Sequence, residues 1–125
     1  MNEKVPLVSV VVPNYNYARY LDARLTSILN QTFQDFELIL LDDASTDNSL
    51  EILDKYKNNL HVSHLVVNEQ NTGSPFKQWM KGILLAKGEW IWIAEADDLC
   101  ESMFLETCVE QVQKYSNISV CMTAS

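Results

Sequence analysis

The sequence predicts an α/β domain built on a mainly parallel sheet with helices on both faces. Two observations predict it: apolar runs of strand length alternate with stretches of helical apolar spacing along the chain, and those runs are near-continuous rather than alternating. A strand buried on both faces reads that way. A third observation bears on function, because polar clusters follow each of the first four strands. In open parallel sheets ligands bind in the crevice beyond the strands' carboxyl ends.

Residues 8–12 are Val-Ser-Val-Val-Val and stop at Pro13, which cannot continue a ladder. Leu21, Leu25, Ile28 and Leu29 fall at helical spacing and predict a helix over residues 18–32. Residues 37–41 form the second strand, and residues 47–59 the second helix, with Leu50, Leu53, Tyr56 and Leu60 on its inner side. Ser45, Thr46 and Asp47 are candidate caps for it. Residues 62–67 are the third strand. The third helix runs over residues 75–87, with Phe76, Met80, Ile83 and Leu84 as its apolar stripe, Pro75 in its first turn and Gly88 as its stop. Residues 90–94 form the fourth strand, residues 102–115 a helix with Leu105, Cys108, Val109 and Val112 inward, and residues 118–122 a fifth strand.

The length of 125 residues fits one domain, with no linker, repeat or internal boundary. No apolar run approaches a membrane span, and the N-terminus lacks the layout of a secretory signal. Three cysteines without a CxxC pair point to free thiols in a reducing compartment, the cytoplasm by default. A formal charge of −8 argues against nucleic acid as a partner. It also requires any anionic ligand to find local cationic help. The chain has no GxxxxGK[ST], GxGxxG or GxSxG, which removes P-loop, dinucleotide and hydrolase-elbow chemistry.

Beyond the fourth strand stand Glu95, Asp97 and Asp98, three carboxylates within four residues. Either a hard divalent cation such as Mg²⁺ or Mn²⁺ relieves their repulsion, or they form an acidic loop favouring the next helix's N-terminus. Asp42-Asp43 reads either as a turn or as a carboxylate for a base or ribose. Tyr15 can stack on a base or sit half-buried. Trp79, Trp90 and Trp92 read as core, Lys77 and Lys81 as phosphate contacts or solvated lysines, and His61 and His64 as surface residues.

Taken in order, Pro13-Asn14-Tyr15-Asn16, Ser27-Ile28-Leu29-Asn30-Gln31-Thr32, Asp42-Asp43-Ala44-Ser45-Thr46-Asp47, Gly88-Glu89-Trp90-Ile91 and Glu95-Ala96-Asp97-Asp98 resemble the opening of a family 2 glycosyltransferase of Rossmann-like GT-A fold. The likeness runs over essentially the whole chain. It implies a nucleotide-diphospho-sugar donor, usually UDP-linked, a Mn²⁺ or Mg²⁺ cofactor, and inverting transfer to a glycan or lipid-linked acceptor in cell-surface polysaccharide synthesis. By position, it implies that Pro13, Tyr15 and Asn16 line the nucleobase side and that Asp43, with Asp42 beside it, meets the base. Glu95-Ala96-Asp97 takes the place of the family's DxD, with Glu95 toward the ribose or the metal's water shell, and Asp97 and Asp98 as metal ligands. Two departures stand out: the first DxD position is Glu95, and the helix after Gly73 lacks the family's arginine, which passes any phosphate contact to Lys77 or Lys81. The resemblance further implies a general base beyond Ser125, so that this chain binds donor but transfers poorly. It also implies a setting at the inner face of the cell membrane, with peripheral association through regions outside this chain. The competing reading is a non-catalytic α/β interaction module.

Overall fold

A computed structural model describes residues 5–97 and 99–114. Its elements run β1 (Val8–Asn14), α1 (Ala18–Leu29), β2 (Phe36–Asp42), α2 (Ser49–Tyr56), β3 (Val62–Val67), α3 (Pro75–Leu85), β4 (Trp90–Ile93) and α4 (Phe104–Lys114). The four strands form one parallel sheet in the order β3-β2-β1-β4. The fifth predicted strand, Cys121, Asp98 and the side chain of Val112 lie outside the described residues.

Alternation along β1 and β2 builds two cores. Val8, Val10, Val12, Leu38 and Leu40 point to one face, where Leu21, Leu25 and Ile28 of α1, Leu53 of α2 and Leu105 and Val109 of α4 cover them. Val11, Ile39 and Leu41 point to the other, under the end of α3. Helices therefore lie on both faces, as the near-continuous apolar strands predict. Neither Cys100 nor Cys108 is in a disulfide.

The helical stripe of α3 is not the packed one. Phe76, Met80, Ile83 and Leu84 are exposed, whereas Gln78 and Gly82 are buried. The physical reason is Gly82. A Cβ there would lie 2.3 Å from Val11 Cγ1, so the bare helix backbone rests on the central strand. A close approach of that kind fixes the rotation of the helix more strongly than its scattered apolar side chains do.

Helix α2 is shorter than expected, and of its predicted inner side only Leu53 is buried and Tyr56 half-buried; Leu50 and Leu60 are exposed. Asn48 is its N-cap residue but contributes no side-chain bond. Asp47 instead ties two helix starts together, accepting from Ser49 N at 2.9 Å and from Ala18 N at 3.1 Å. His61 is half-buried rather than on the surface, its ring stacked on Phe36 at 4.2 Å.

Glu37 is the unexpected charge inside this fold. It is buried mid-sheet and accepts from Ser9 Oγ at 2.6 Å, Ser63 Oγ at 2.5 Å and Lys87 N at 2.7 Å. Burial pushes its carboxyl up, but the three hydrogen bonds and the nearby His64 outweigh that and hold it below the ordinary value. The network joins β1, β2, β3 and the segment entering β4.

Candidate functional site

The strand order reverses at β1: β2 and β3 lie to one side of it and β4 to the other. A crevice opens at such a switch point, beyond the strands' carboxyl ends. Here it is a cleft of about 300 Å³. Pro13 and Asn14 from β1 and Tyr15 just after it line it, with Asp43 following β2, Gln78 from α3 and Glu95 following β4. Asn71, Gly73, Ser74 and Pro75, in the turn into α3, form part of its wall.

The predicted residues divide between the cleft and its support. Pro13 is buried in the cleft lining, Tyr15 stands exposed at the rim, and Asp43 and Glu95 face it from two different strands. Asp42 does not line it. Fully buried, Asp42 accepts from Asn14 Nδ2 at 2.9 Å, Ser45 Oγ at 2.7 Å and Ser45 N at 2.8 Å, and so pins the ends of β1 and β2 together. Asn16 is likewise a latch. At φ 57° its side-chain oxygen accepts from Thr46 N at 2.7 Å and Asp47 N at 3.2 Å, joining the loops after β1 and β2. Lys77 is exposed in the first turn of α3 and is not among the lining residues. Ala96 is buried in the core, which leaves only its main chain for a ligand, and Asp97 is exposed just beyond it.

Asp43 is held with unusual care. Its Oδ1 accepts from Asn68 Nδ2 and Thr72 N, both at 2.9 Å, and its Oδ2 from Thr72 Oγ1 at 2.8 Å. Burial raises its pKa, but these bonds and the Lys81 charge prevail and lower it below the ordinary value. Ala44 follows at φ 62°, a left-handed conformation that costs a non-glycine residue about 1–2 kcal/mol. That strained residue turns the chain between Asp43, in the cleft, and Ser45, in the latch.

Glu95 is oriented from α3, since Trp79 Nε1 donates to its Oε1 at 3.1 Å. Burial pushes the Glu95 carboxyl up; the Trp79 bond lowers it, the Asp97 charge raises it, Arg24 lowers it, and the balance is upward. Arg24 was not anticipated. It sits inside the apolar arc of α1, almost fully buried, with its guanidinium 5.2 Å from the Trp92 ring centroid. A lone arginine among Leu21, Leu25 and Ile28 was the available signal.

Two further cleft residues escaped the sequence reading. Asn14 and Gln78 are nearly fully buried, and each keeps one polar atom with no protein partner: Oδ1 of Asn14 and Nε2 of Gln78. Buried polar groups are ordinarily paired. One unpaired acceptor and one unpaired donor on residues lining a cleft suit a ligand that brings the complementary groups.

Gln31 holds the carboxylate loop from below. Its Nε2 donates to Ser27 O at 3.0 Å and Glu101 O at 2.8 Å and reaches Cys100 Sγ at 3.1 Å, while its Oε1 accepts from Leu105 N at 2.8 Å. One buried amide thus fixes the path from the cleft rim into α4.

Among the described residues no cluster of three or more His, Cys, Asp or Glu side chains could hold a metal ion alone. The residues present nevertheless suit Mg²⁺ or Mn²⁺, which commonly takes one or two protein carboxylates and fills its shell with phosphate and water. Asp97 is exposed beside the cleft, and its charge already disfavours ionisation of Glu95.

Comparison with known proteins agrees with this geometry. The family model described as glycosyl transferase family 2 matches residues 9–124. Glycosyltransferase GlyG of Streptococcus pneumoniae is 43% identical over 111 residues, which is 86% of this chain and 36% of GlyG. The crystal structure of Staphylococcus aureus TarS 1–349 in complex with UDP-GlcNAc superposes with a TM-score of 0.80 at 32% identity, over 87% of this chain and 32% of that one. A mannosyltransferase from Pyrobaculum calidifontis, in complex with GDP-Man and Mn²⁺, has the same fold, with a TM-score of 0.76 at 24% identity over 87% of this chain and 33% of that one. The chain spans about a third of the length of these proteins. With the family model covering nearly every residue and the cleft lying at its sheet's switch point, the chain belongs to glycosyltransferase family 2.

Proposed function

We propose that this chain forms the donor-binding part of an inverting glycosyltransferase that takes its sugar from a UDP-linked donor. The observation that carries the reading is that Asn14 and Gln78, which line one cleft with the ionised Asp43, each hold an unpaired polar atom, Oδ1 and Nε2. A uracil edge presents an N–H flanked by two carbonyls, and a ribose presents hydroxyls. Both match an acceptor, a donor and a carboxylate held at the end of a parallel sheet. TarS binds UDP and UDP-GlcNAc on the same fold, which supports the choice of nucleotide.

In this reading Tyr15 and Pro13 flank the base, Asp43 accepts from it, and Glu95 faces the ribose. Asp97, with Asp98, holds a divalent cation. When bound, that cation supplies Lewis-acid stabilisation of the departing diphosphate. The protein's own contribution is to fix the donor: Trp79 holds Glu95, Gln31 holds the loop behind Asp97, and Asn16 and Asp42 hold the loops after β1 and β2. The acceptor is a glycan or lipid-linked molecule.

Calorimetric titration of UDP with Mn²⁺, and again with EDTA, tests the reading on the wild type, Asp97→Ala and Gln78→Leu. UDP binding should need the metal and Asp97, and should weaken roughly tenfold or more when Gln78 loses its amide. Equal binding by all three proteins would overturn the assignment.

A further inference from the structure

Two side chains outside the cleft grip two that line it. Asn68 stands just after β3, its main-chain N–H donating to Asp42 O at 2.9 Å. Its side-chain Nδ2 donates to Asp43 Oδ1 at 2.9 Å and to Gln78 Oε1 at 3.0 Å. Its Oδ1 accepts from Lys81 Nζ. Gln78 and Lys81 are neighbours at i and i+3 on α3, so one helical turn reaches both ends of the Asn68 amide. Neither Asn68 nor Lys81 lines the cleft, whereas Asp43 and Gln78 do.

A side-chain amide can turn end for end with little change of shape, and its partners decide which end is which. For Asn68 two charges decide. Turned over, it would set its oxygen against the Asp43 carboxylate and its NH₂ against the Lys81 ammonium. The orientation found puts a donor on the anion and an acceptor on the cation, and commits both Nδ2 hydrogens. Gln78 is fixed in turn: its oxygen meets Asn68, and its unpaired group is the donor Nε2. Asp43 keeps one open acceptor position, since Oδ1 already takes two donors and Oδ2 only one.

We propose that Lys81 and Asn68 are positioning residues that set the base preference of the cleft, by fixing Asp43 as its acceptor and Gln78 as its donor. The proposal rests on the donor reading and adds the source of its selectivity. An acceptor and a donor so fixed suit a base edge with a ring N–H next to a carbonyl, as in uracil. Cytosine carries the inverse edge, a bare ring nitrogen next to an amino group. It would set a lone pair against Asp43 and an N–H against Gln78. The two pyrimidines are alike in size, so polarity alone separates them. A site built to hydrogen-bond its ligand rejects the wrong partner far more strongly than one that reads size, because its own polar groups are then left unpaired.

Titration of UDP and of CDP with Mn²⁺ tests the proposal on the wild type, Lys81→Met and Asn68→Ala. The wild type should bind UDP at least about tenfold tighter than CDP. Lys81→Met, which keeps the aliphatic stem, should weaken UDP roughly fivefold and Asn68→Ala roughly tenfold or more, with CDP changing less than about twofold in each. The ratio of the two affinities is the readout, because partial unfolding or a lost phosphate contact weakens both nucleotides alike. A wild type that binds both equally, or variants that keep the wild-type ratio, would refute the proposal and leave UDP binding, and with it the donor reading, in place. A wild type that binds neither nucleotide would overturn the donor reading and the proposal together. Should circular dichroism show Asn68→Ala unfolded, the ratio in Lys81→Met decides.

Discussion

Replacing Gln31 with leucine should damage stability and ligand binding together, because one amide serves both. The side chain is almost fully buried, and leucine fills similar volume, so the change isolates polarity. It removes donations to Ser27 O and Glu101 O, a longer contact to Cys100 Sγ, and the acceptor for Leu105 N in the first turn of α4. A typical net hydrogen bond contributes about 0.5–1.5 kcal/mol, and a buried partner left unsatisfied costs about 1–3 kcal/mol. Water can reach some of these partners because Glu101 is exposed, which lowers the sum to roughly 2–4 kcal/mol. For a domain of this size each kcal/mol shifts Tm by about 3–5 °C, so thermal unfolding should move down by roughly 10 °C. In urea the midpoint should fall with an unchanged slope. UDP titration at a temperature where the variant is folded should also show weaker metal-dependent binding, because the tether holds the chain just after Asp97. A variant within 0.5 kcal/mol of wild type would mean that water replaces the amide, and the supporting role assigned to Gln31 would be wrong.

Gly82→Ala should destabilise by about 1–3 kcal/mol despite alanine's better helix propensity, because its Cβ would overlap the Val11 side chain; Gly82→Ala with Val11→Ala should recover part of the loss in denaturant melts. Acid should unfold the protein partly through Glu37 and Asp43. Both carboxyls titrate below their ordinary values of 4.5 and 3.8 in the fold, so their stabilisation is complete above those values and is lost as pH falls through the lowered ones. Glu37→Gln should therefore flatten the stability–pH curve below about pH 4 while lowering stability at pH 7, as read from urea midpoints across pH.

What was legible in the sequence was whatever depended on periodicity. Val8, Val10 and Val12 against Val11, Ile39 and Leu41 specify a sheet buried on both sides, and the chain order of strands and helices follows from it. The polar clusters after β1, β2 and β4 were readable for the same reason, since a strand's end can be located once its apolar run is known. What depended on one atom was not readable. The rotation of α3 is set by the missing Cβ of Gly82, so its apolar residues misled. Asp42 and Asp43 are adjacent and identical in type, yet strained Ala44 and the partners Asn14, Asn68 and Thr72 give one a structural task and the other a place in the cleft. Asn14 stood in the polar cluster after β1 with no role of its own, and Gln78 carried no pattern at all. Their importance is an unfilled hydrogen bond, visible only when every neighbour has been placed.

The acidity of the chain leads to a prediction that separates base recognition from phosphate recognition. Two of the cations near the cleft are already engaged, Lys81 with Asn68 and the Asp43 charge and Arg24 at Trp92 with its charge on Glu95, and the third, Lys77, is exposed outside the lining. The start of α3 could hold an anion by its free N–H groups, but Ser74 Oγ accepts from Lys77 N at 3.4 Å and occupies one of them. Little positive charge is left for a diphosphate, and a divalent cation on Asp97 is the remaining source. Uridine should then bind with the same affinity in Mn²⁺ and in EDTA, because Asp43, Asn14 and Gln78 meet only the nucleoside. UDP should gain at least about tenfold from the metal, roughly 1.4 kcal/mol, and should fall to or below uridine without it. Titrating both ligands under both conditions reads the difference directly. If EDTA weakens uridine as much as UDP, the metal shapes the pocket instead of meeting the phosphates. If UDP stays tighter than uridine in EDTA, Lys77 or Lys81 supplies the phosphate contact, and Lys77→Ala and Lys81→Ala would show which.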